Sequence, residues 1–95
     1  LTLATVERLK NHPAILAWAI GNELDWIPPG KLYNRKLWDF LNEVARRIHQ
    51  IDPNHPTMTV IGSSDVPLKL DELARQCPDI DMLGLNAYAD LGKLT

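Results

Sequence analysis

Residues 11–23 read Asn11-His12-Pro13-Ala14-Ile15-Leu16-Ala17-Trp18-Ala19-Ile20-Gly21-Asn22-Glu23 and contain the clearest structural signal in the chain. Residues 14–20 are all apolar, and the run is too short for an ordinary helix. Because polar residues do not alternate with the apolar ones, the run predicts a strand buried on both faces, as in a parallel sheet. Gly21-Asn22-Glu23 ends the run and puts a carboxylate directly after it.

Predicted helices and strands alternate on both sides of this stretch. Helices are predicted over 3–10, 35–50 and 68–75, and strands over 14–20, 57–61 and 80–85. Asn34 is the predicted N-cap of the second helix, and Leu70, Leu73 and Ala74 are predicted to turn the third helix toward the core. The alternation is typical of βαβ units around a parallel sheet. It fits about three-eighths of a (β/α)₈ barrel or a small open α/β sheet, and the order of elements does not choose between them.

The composition excludes several classes of function. The chain has 95 residues, 45% of them hydrophobic, and a net charge of −2, which predicts one small globular unit. No basic stripe suited to nucleic acid is present, and no apolar run approaches the roughly 18 residues of a membrane span. Cys77 is the only cysteine, so neither an internal disulfide nor a structural zinc site is expected. No metal and no cofactor are predicted.

Polar clusters follow all three predicted strands. They are Gly21-Asn22-Glu23, Ser63-Ser64-Asp65 and Asn86-Ala87-Tyr88. The carboxyl ends of parallel strands face the active-site side of α/β folds, so these clusters are expected to lie together. A carboxylate after a buried strand is costly unless it is hydrogen-bonded or used, which makes Glu23 the main candidate. Asp25, two residues after Glu23, is expected to be a solvated surface carboxylate, with tuning of the Glu23 pKa as the alternative.

The block from Asn11 to Glu23 resembles the fourth-strand signature of glycoside hydrolase family 2, which has Asn-His-Pro, a strand with a Trp, and then Gly-Asn-Glu. Two later segments agree in order and spacing: Asp52-Pro53 with His55-Pro56 before the fifth strand, and residues 81–88 at the sixth. The resemblance implies a partial TIM (β/α)₈ barrel of about three βα units, equivalent to strands 4 to 6. Residues 1–95 are then a fragment of a single catalytic domain. The implied activity is that of a retaining O-glycosyl hydrolase of the β-glycosidase type.

The same resemblance implies roles for individual residues. Glu23 matches the general acid/base, and Asn22 matches the residue that binds the sugar 2-hydroxyl. Tyr88 resembles an aromatic residue whose hydroxyl group orients the nucleophile. Asn86 is expected to contact and position the residues that bind the substrate. Trp26, in the loop after Glu23, is a candidate stacking platform for a sugar ring. The family's nucleophile is a Glu after the seventh strand, and no residue here matches it, so the 95 residues alone are expected to be inactive.

Two alternatives stay open. One is a catalytically inactive, carbohydrate-binding or structural remnant of a barrel. The other is an endo-glycanase or transglycosidase similar to glycoside hydrolase family 5, whose barrels also place Asn-Glu at the fourth strand. The expected partners are a carbohydrate substrate and either the remainder of the barrel in a parent chain or further copies of the fragment. The sugar, the linkage and the compartment are not specified.

Overall fold

The chain folds as alternating helices and strands around one parallel sheet. The computed structural model describes residues 3–25 and 32–87. The elements are α1 (Leu3–Leu9), β1 (Trp18–Asn22), α2 (Leu32–Ile51), β2 (Thr57–Gly62), α3 (Val66–Gln76) and β3 (Met82–Asn86). The strands of this part of the chain lie in the order β1-β2-β3, and both pairs are parallel. The described residues therefore form a small α/β arrangement with three parallel strands, and its place in a partial TIM (β/α)₈ barrel stays a prediction.

Some predicted boundaries are wrong by a few residues. β1 begins at Trp18 rather than Ala14, because the N–H of Ala14 bonds His12 Nδ1 and the N–H of Ile15 bonds the His12 carbonyl in a turn. α2 begins at Leu32, so its start precedes the predicted N-cap Asn34. α3 begins at Val66, with proline in its first turn, where a missing N–H loses no helical hydrogen bond.

One apolar core joins the helices to one face of the sheet. Thr57, Thr59 and Ile61 of β2 are buried in alternation and point to this face. The right-handed crossovers of βαβ units place α2 and α3 on the same side. The buried residues of α2, which are Trp38, Leu41, Ala45 and Ile48, recur at helical spacing. The core consists of Val6, Trp18, Ile20, Trp38, Leu41, Ala45, Ile48, Ile61, Leu73 and Cys77.

The opposite face of the sheet is apolar but incompletely covered. Met58 pairs with Met82 and Val60 with Gly84, so these side chains share a face, which Ala19 joins through its pairing with Met58. None of the five is buried, and Met82 is 40% exposed. Because β1 alternates buried and exposed residues, the prediction that this strand is buried on both faces does not hold for the described residues. No helix within residues 3–25 and 32–87 packs on this side. We call this surface the open face.

Two carboxylates tie the amino-terminal edge of the sheet together. Asp52 accepts hydrogen bonds from Trp18 Nε1 at 2.8 Å and from the Asn54 N–H, and its Oδ2 lies 2.6 Å from His55 Nδ1. Burial raises the pKa of Asp52, but these hydrogen bonds outweigh burial and leave the pKa below its ordinary value. This edge lies opposite the polar clusters, so it belongs to the scaffold.

Asp81, directly before β3, connects β3 to the start of β2. It accepts the Thr57 N–H at 2.9 Å and lies 2.8 Å from His49 Nε2. The Thr57 N–H, followed by the His49 contact, lowers the pKa of Asp81.

Among residues 3–25 and 32–87, no helix combines the length and the hydropathy that a membrane span requires.

Candidate active site

The backbone at the end of β1 has an uncommon conformation. Gly21 has φ 73° and Glu23 has φ 51°, so both lie in the left-handed region. The positive φ of Gly21 favours glycine, and a side chain there would also require the Leu24 side chain to move. Glu23 is held in this conformation because its N–H donates to the Val60 carbonyl at 2.8 Å. Such conformations in residues other than glycine persist where the surroundings enforce them, and they cluster at functional sites.

The Glu23 carboxylate lies against the end of the central strand. A Cβ atom placed on Gly62 would lie 3.3 Å from Glu23 Oε1, so the carboxylate occupies space that a side chain at Gly62 would need. Glu23 itself is half-buried. The carboxylate is therefore positioned at the carboxyl edge of the sheet while keeping access to solvent.

Asn22 and Asn86 meet across the same edge. Asn86 Nδ2 donates to Asn22 Oδ1 at 2.9 Å, although the two residues lie on the outer strands β1 and β3. Asn86 is paired in register with Gly62. The structure thus brings together three of the five residues predicted for the site, namely Glu23, Asn22 and Asn86. The contact fixes the orientation of the Asn22 amide at the position next to Glu23.

Asp25 is buried in an ion pair, so its prediction as a solvated surface residue is wrong. Its side chain lies 2.5 Å from Lys69 Nζ, and both side chains are almost completely inaccessible. The Gly62 N–H contacts both Asp25 carboxylate oxygens at 3.3 Å, and Lys69 also donates to Ser64 Oγ at 3.2 Å. The pair joins the loop after β1 to β2 and α3.

A sequence signal for this pair was present on α3. The buried positions of that helix are Val66, Lys69 and Leu73, at the spacing of one helical face. The prediction that Leu70 and Ala74 point to the core is wrong, since both are exposed. A lysine between two apolar positions of an inward stripe needs a buried anion, and Asp25 is that anion.

An open cavity of about 410 Å³ lies at this edge. Its lining consists of Glu23, Asp25, Gly62, Ser63, Ser64 and Lys69. Its volume falls within the range of about 300–1,000 Å³ that is usual for small-molecule sites. Among these lining residues Glu23 has the accessible carboxylate, because the Asp25 carboxylate is buried in its ion pair with Lys69. The cavity therefore presents one accessible carboxylate beside the Ser63 and Ser64 side chains.

Several other residues do not enter this arrangement. Trp26 and Tyr88 lie outside the described residues, so their predicted contacts with substrate stay predictions. Asp65 has φ 52°, precedes α3 and is exposed. Burial raises the pKa of Cys77 to about 12, so its thiol stays protonated at neutral pH. Residues 3–25 and 32–87 contain no group of three or more His, Cys, Asp or Glu side chains that could hold a metal ion.

Comparison with known proteins gives a partial match. No model of a known protein family matches the chain. Over 49 residues the chain is 39% identical to a protein of Formosa agariphila named "Putative beta-glucuronidase". Half of the chain is similar to a glycoside hydrolase. The match covers 50% of this chain but 6% of the length of that relative. The predicted similarity to a glycosidase is confirmed at this level, and membership of glycoside hydrolase family 2 stays a prediction.

Proposed function

We propose that these residues form part of the catalytic barrel of a retaining β-glycoside hydrolase, with Glu23 as its general acid/base. The observation that carries the proposal is the position of the Glu23 carboxylate. The carboxylate lies at the carboxyl edge of a parallel sheet, next to Gly62. The Glu23 backbone is fixed there because its N–H donates to the Val60 carbonyl. Catalytic groups of (β/α)₈ barrels come from this edge.

The open face supports the barrel part of the proposal. In a closed barrel, α-helices cover the outside and alternate strand residues fill the inside. Met58, Val60 and Met82 would be interior residues, and the unpaired edges of β1 and β3 would join neighbouring strands. Three βα units are about three-eighths of the roughly 250 residues of such a fold. We assign β1, β2 and β3 to the places of strands 4, 5 and 6.

In the proposed mechanism, Glu23 protonates the glycosidic oxygen as the bond to the sugar breaks. Glu23 then removes a proton from the water that releases the sugar from the nucleophile. The nucleophile must be a second carboxylate about 5–5.5 Å away. Asp25 is unsuited to that role because Lys69 holds it in a buried ion pair. The nucleophile therefore comes from another part of the barrel.

Asn22 and Asn86 have linked roles in this proposal. Asn22 hydrogen-bonds the sugar 2-hydroxyl, a contact that strengthens in the transition state. Asn86 acts through Asn22, since its amide donates to Asn22 Oδ1 at 2.9 Å. Trp26 and Tyr88 complete the proposed substrate contacts, Trp26 by stacking and Tyr88 by its hydroxyl.

The test is Glu23→Gln in the full-length protein that contains these residues, assayed on phenyl and 2,4-dinitrophenyl β-glycosides. The panel includes glucuronides, because the relative is named a glucuronidase, together with galactosides and mannosides. Loss of general acid catalysis should lower kcat/KM on the phenyl substrates by about 100- to 10,000-fold. The loss should be smaller on dinitrophenyl substrates, whose leaving group needs little protonation.

Asp71→Asn is the matched control. Asp71 forms an exposed pair with Arg75 on α3, and its loss should leave both rates unchanged. Wild-type activity of Glu23→Gln on a phenyl glycoside would overturn the assignment. Binding of glycosides without cleavage by the wild-type protein would support the non-catalytic alternative instead.

A further inference from the structure

We infer that the buried Asp25–Lys69 ion pair is a positioning device for Glu23, which holds the turn that carries Glu23 and keeps the charge beside it balanced. The inference rests on the proposed catalytic role of Glu23. Asp25 and Lys69 touch no reacting atom in this scheme. They act through the Glu23 carboxylate.

The first support is mechanical. The turn at residues 23–25 is attached to β2 at both ends. The Glu23 N–H bonds the Val60 carbonyl at 2.8 Å, and the Asp25 carboxylate contacts the Gly62 N–H at 3.3 Å. Lys69 then fixes Asp25 to α3 and to Ser64. Because Glu23 stands in a left-handed conformation, its direction depends on these attachments.

The second support is electrostatic. Glu23 and Asp25 both lie against Gly62, so two carboxylates share one strand end. The Lys69 ammonium balances the negative charge of Asp25 at this strand end. Among the described residues that line the cavity, Glu23, Asp25 and Lys69 are the titratable ones. Asn22 and Asn86 at the ends of β1 and β3 carry no charge.

The third support is energetic. A buried ion pair is seldom more stabilising than well-packed apolar residues of similar volume, since desolvation offsets the attraction. The neighbouring inward positions of α3, Val66 and Leu73, are apolar. A lysine at the one inward position beneath the cavity therefore needs a reason besides stability. Orientation and charge balance of Glu23 supply that reason.

The experiment compares Asp25→Asn, Lys69→Met and the double variant in the full-length protein. It uses the phenyl β-glycoside of the panel that the wild type cleaves fastest, together with its dinitrophenyl counterpart. Misplacement of Glu23 should lower kcat on the phenyl glycoside by about 10- to 100-fold, with a smaller change in KM. The loss of kcat/KM on the dinitrophenyl glycoside should be less than the loss of kcat/KM on the phenyl glycoside, because cleavage of the bond to that leaving group depends little on the acid.

The pH dependence of kcat/KM gives a second readout with opposite signs. Asp25→Asn leaves the Lys69 charge unbalanced, which favours the Glu23 carboxylate, so activity on the alkaline side should fall at lower pH than in wild type. Lys69→Met leaves the Asp25 charge unbalanced and should move that fall to higher pH. The double variant has no unpaired charge. Its alkaline limb, which is the fall of kcat/KM at high pH, should return to the wild-type pH while kcat stays lowered.

Two controls separate the possible failures. Asp52→Asn removes a buried carboxylate at the other edge of the sheet and should lower stability without moving the alkaline limb. Glu23→Gln tests the proposed function by itself. The positioning role is overturned by the following outcome. Glu23→Gln abolishes activity, but the Asp25 and Lys69 variants lose activity equally on the phenyl and dinitrophenyl glycosides, and the alkaline fall of kcat/KM stays at its wild-type pH. If one of the single variants does not fold, the double variant provides the test. A wild-type kcat in the double variant then overturns the positioning role.

Discussion

Gly62 determines the space available to Glu23 because it has no side chain. The position where its Cβ would stand lies 3.3 Å from Glu23 Oε1, a separation closer than ordinary van der Waals contact. The Gly62 N–H also contacts Asp25. One glycine at the end of β2 therefore adjoins both carboxylates of the cavity.

We expect Gly62→Ala to displace the Glu23 carboxylate by a few tenths of an ångström or more. In the full-length protein this should lower kcat on a phenyl β-glycoside by about 10-fold, with little change in the denaturation midpoint. Steady-state kinetics and urea unfolding measure the two effects.

Gly84→Ala is the matched control for this prediction. Its new Cβ would lie 3.0 Å from Val60 Cγ2 on the open face, away from the cavity. It should change the free energy of unfolding by about 1 kcal/mol and leave kcat unaltered. Equal kcat values for Gly62→Ala and wild type would show that the carboxylate position tolerates the extra atom.

The connection from α2 to β2 depends on a carboxylate that the fold keeps ionised. Asp52 directly follows α2 and binds Trp18 of β1 and His55 of the loop. Its pKa lies below the ordinary 3.8 because these hydrogen bonds outweigh burial. A carboxyl whose pKa is lowered on folding stabilises the fold above the unfolded-state pKa. That contribution is lost as pH falls through the folded-state pKa.

Asp52→Asn should therefore destabilise the full-length protein at about pH 7 by about 1–3 kcal/mol, the usual cost of damaging a buried charged hydrogen-bond group. The difference from wild type should begin to shrink at about pH 4, where the carboxyl of the unfolded state becomes protonated, and should be lost as pH falls through the lower folded-state pKa. Urea unfolding at several pH values measures this. A difference that does not vary between neutral and acidic pH would contradict the ionised role of Asp52.

At the scale of the whole molecule, the open face and the strand edges leave apolar surface uncovered. Met82, Leu85 and Leu70 are 40%, 41% and 44% exposed on or near β3. A cavity of about 210 Å³ beside them is lined mainly by apolar side chains of α3 and β3. Unpaired edges and contiguous apolar patches favour association with further strands or further copies.

We expect the 95-residue chain, produced alone, to self-associate in size-exclusion chromatography with light scattering. Met82→Lys should reduce the association because it places a charge at the β3 edge. Phe40→Lys, at an exposed position of α2, is the matched control and should have little effect. A monomeric wild-type peak with cooperative unfolding would contradict the view that this surface is normally covered.

The amino-acid sequence by itself determined the order of elements, the parallel sheet and the position of Glu23 directly after a strand. These features follow from short-range signals: apolar runs, helical periodicity and turn residues act within a few positions. The same signals misplaced the start of β1 by four residues, because the turn at His12 forms through its own side chain and carbonyl.

Only the tertiary structure decided how the candidate site is built. The Asp25–Lys69 pair and the Asn86–Asn22 hydrogen bond join residues that are far apart in the chain. Whether a carboxylate is solvated or buried depends on which cation the fold brings to it, and spacing along the chain does not encode that. Parallel pairing of β1, β2 and β3 places these groups at one edge, and there the buried ion pair of Asp25 leaves Glu23 with the accessible carboxylate.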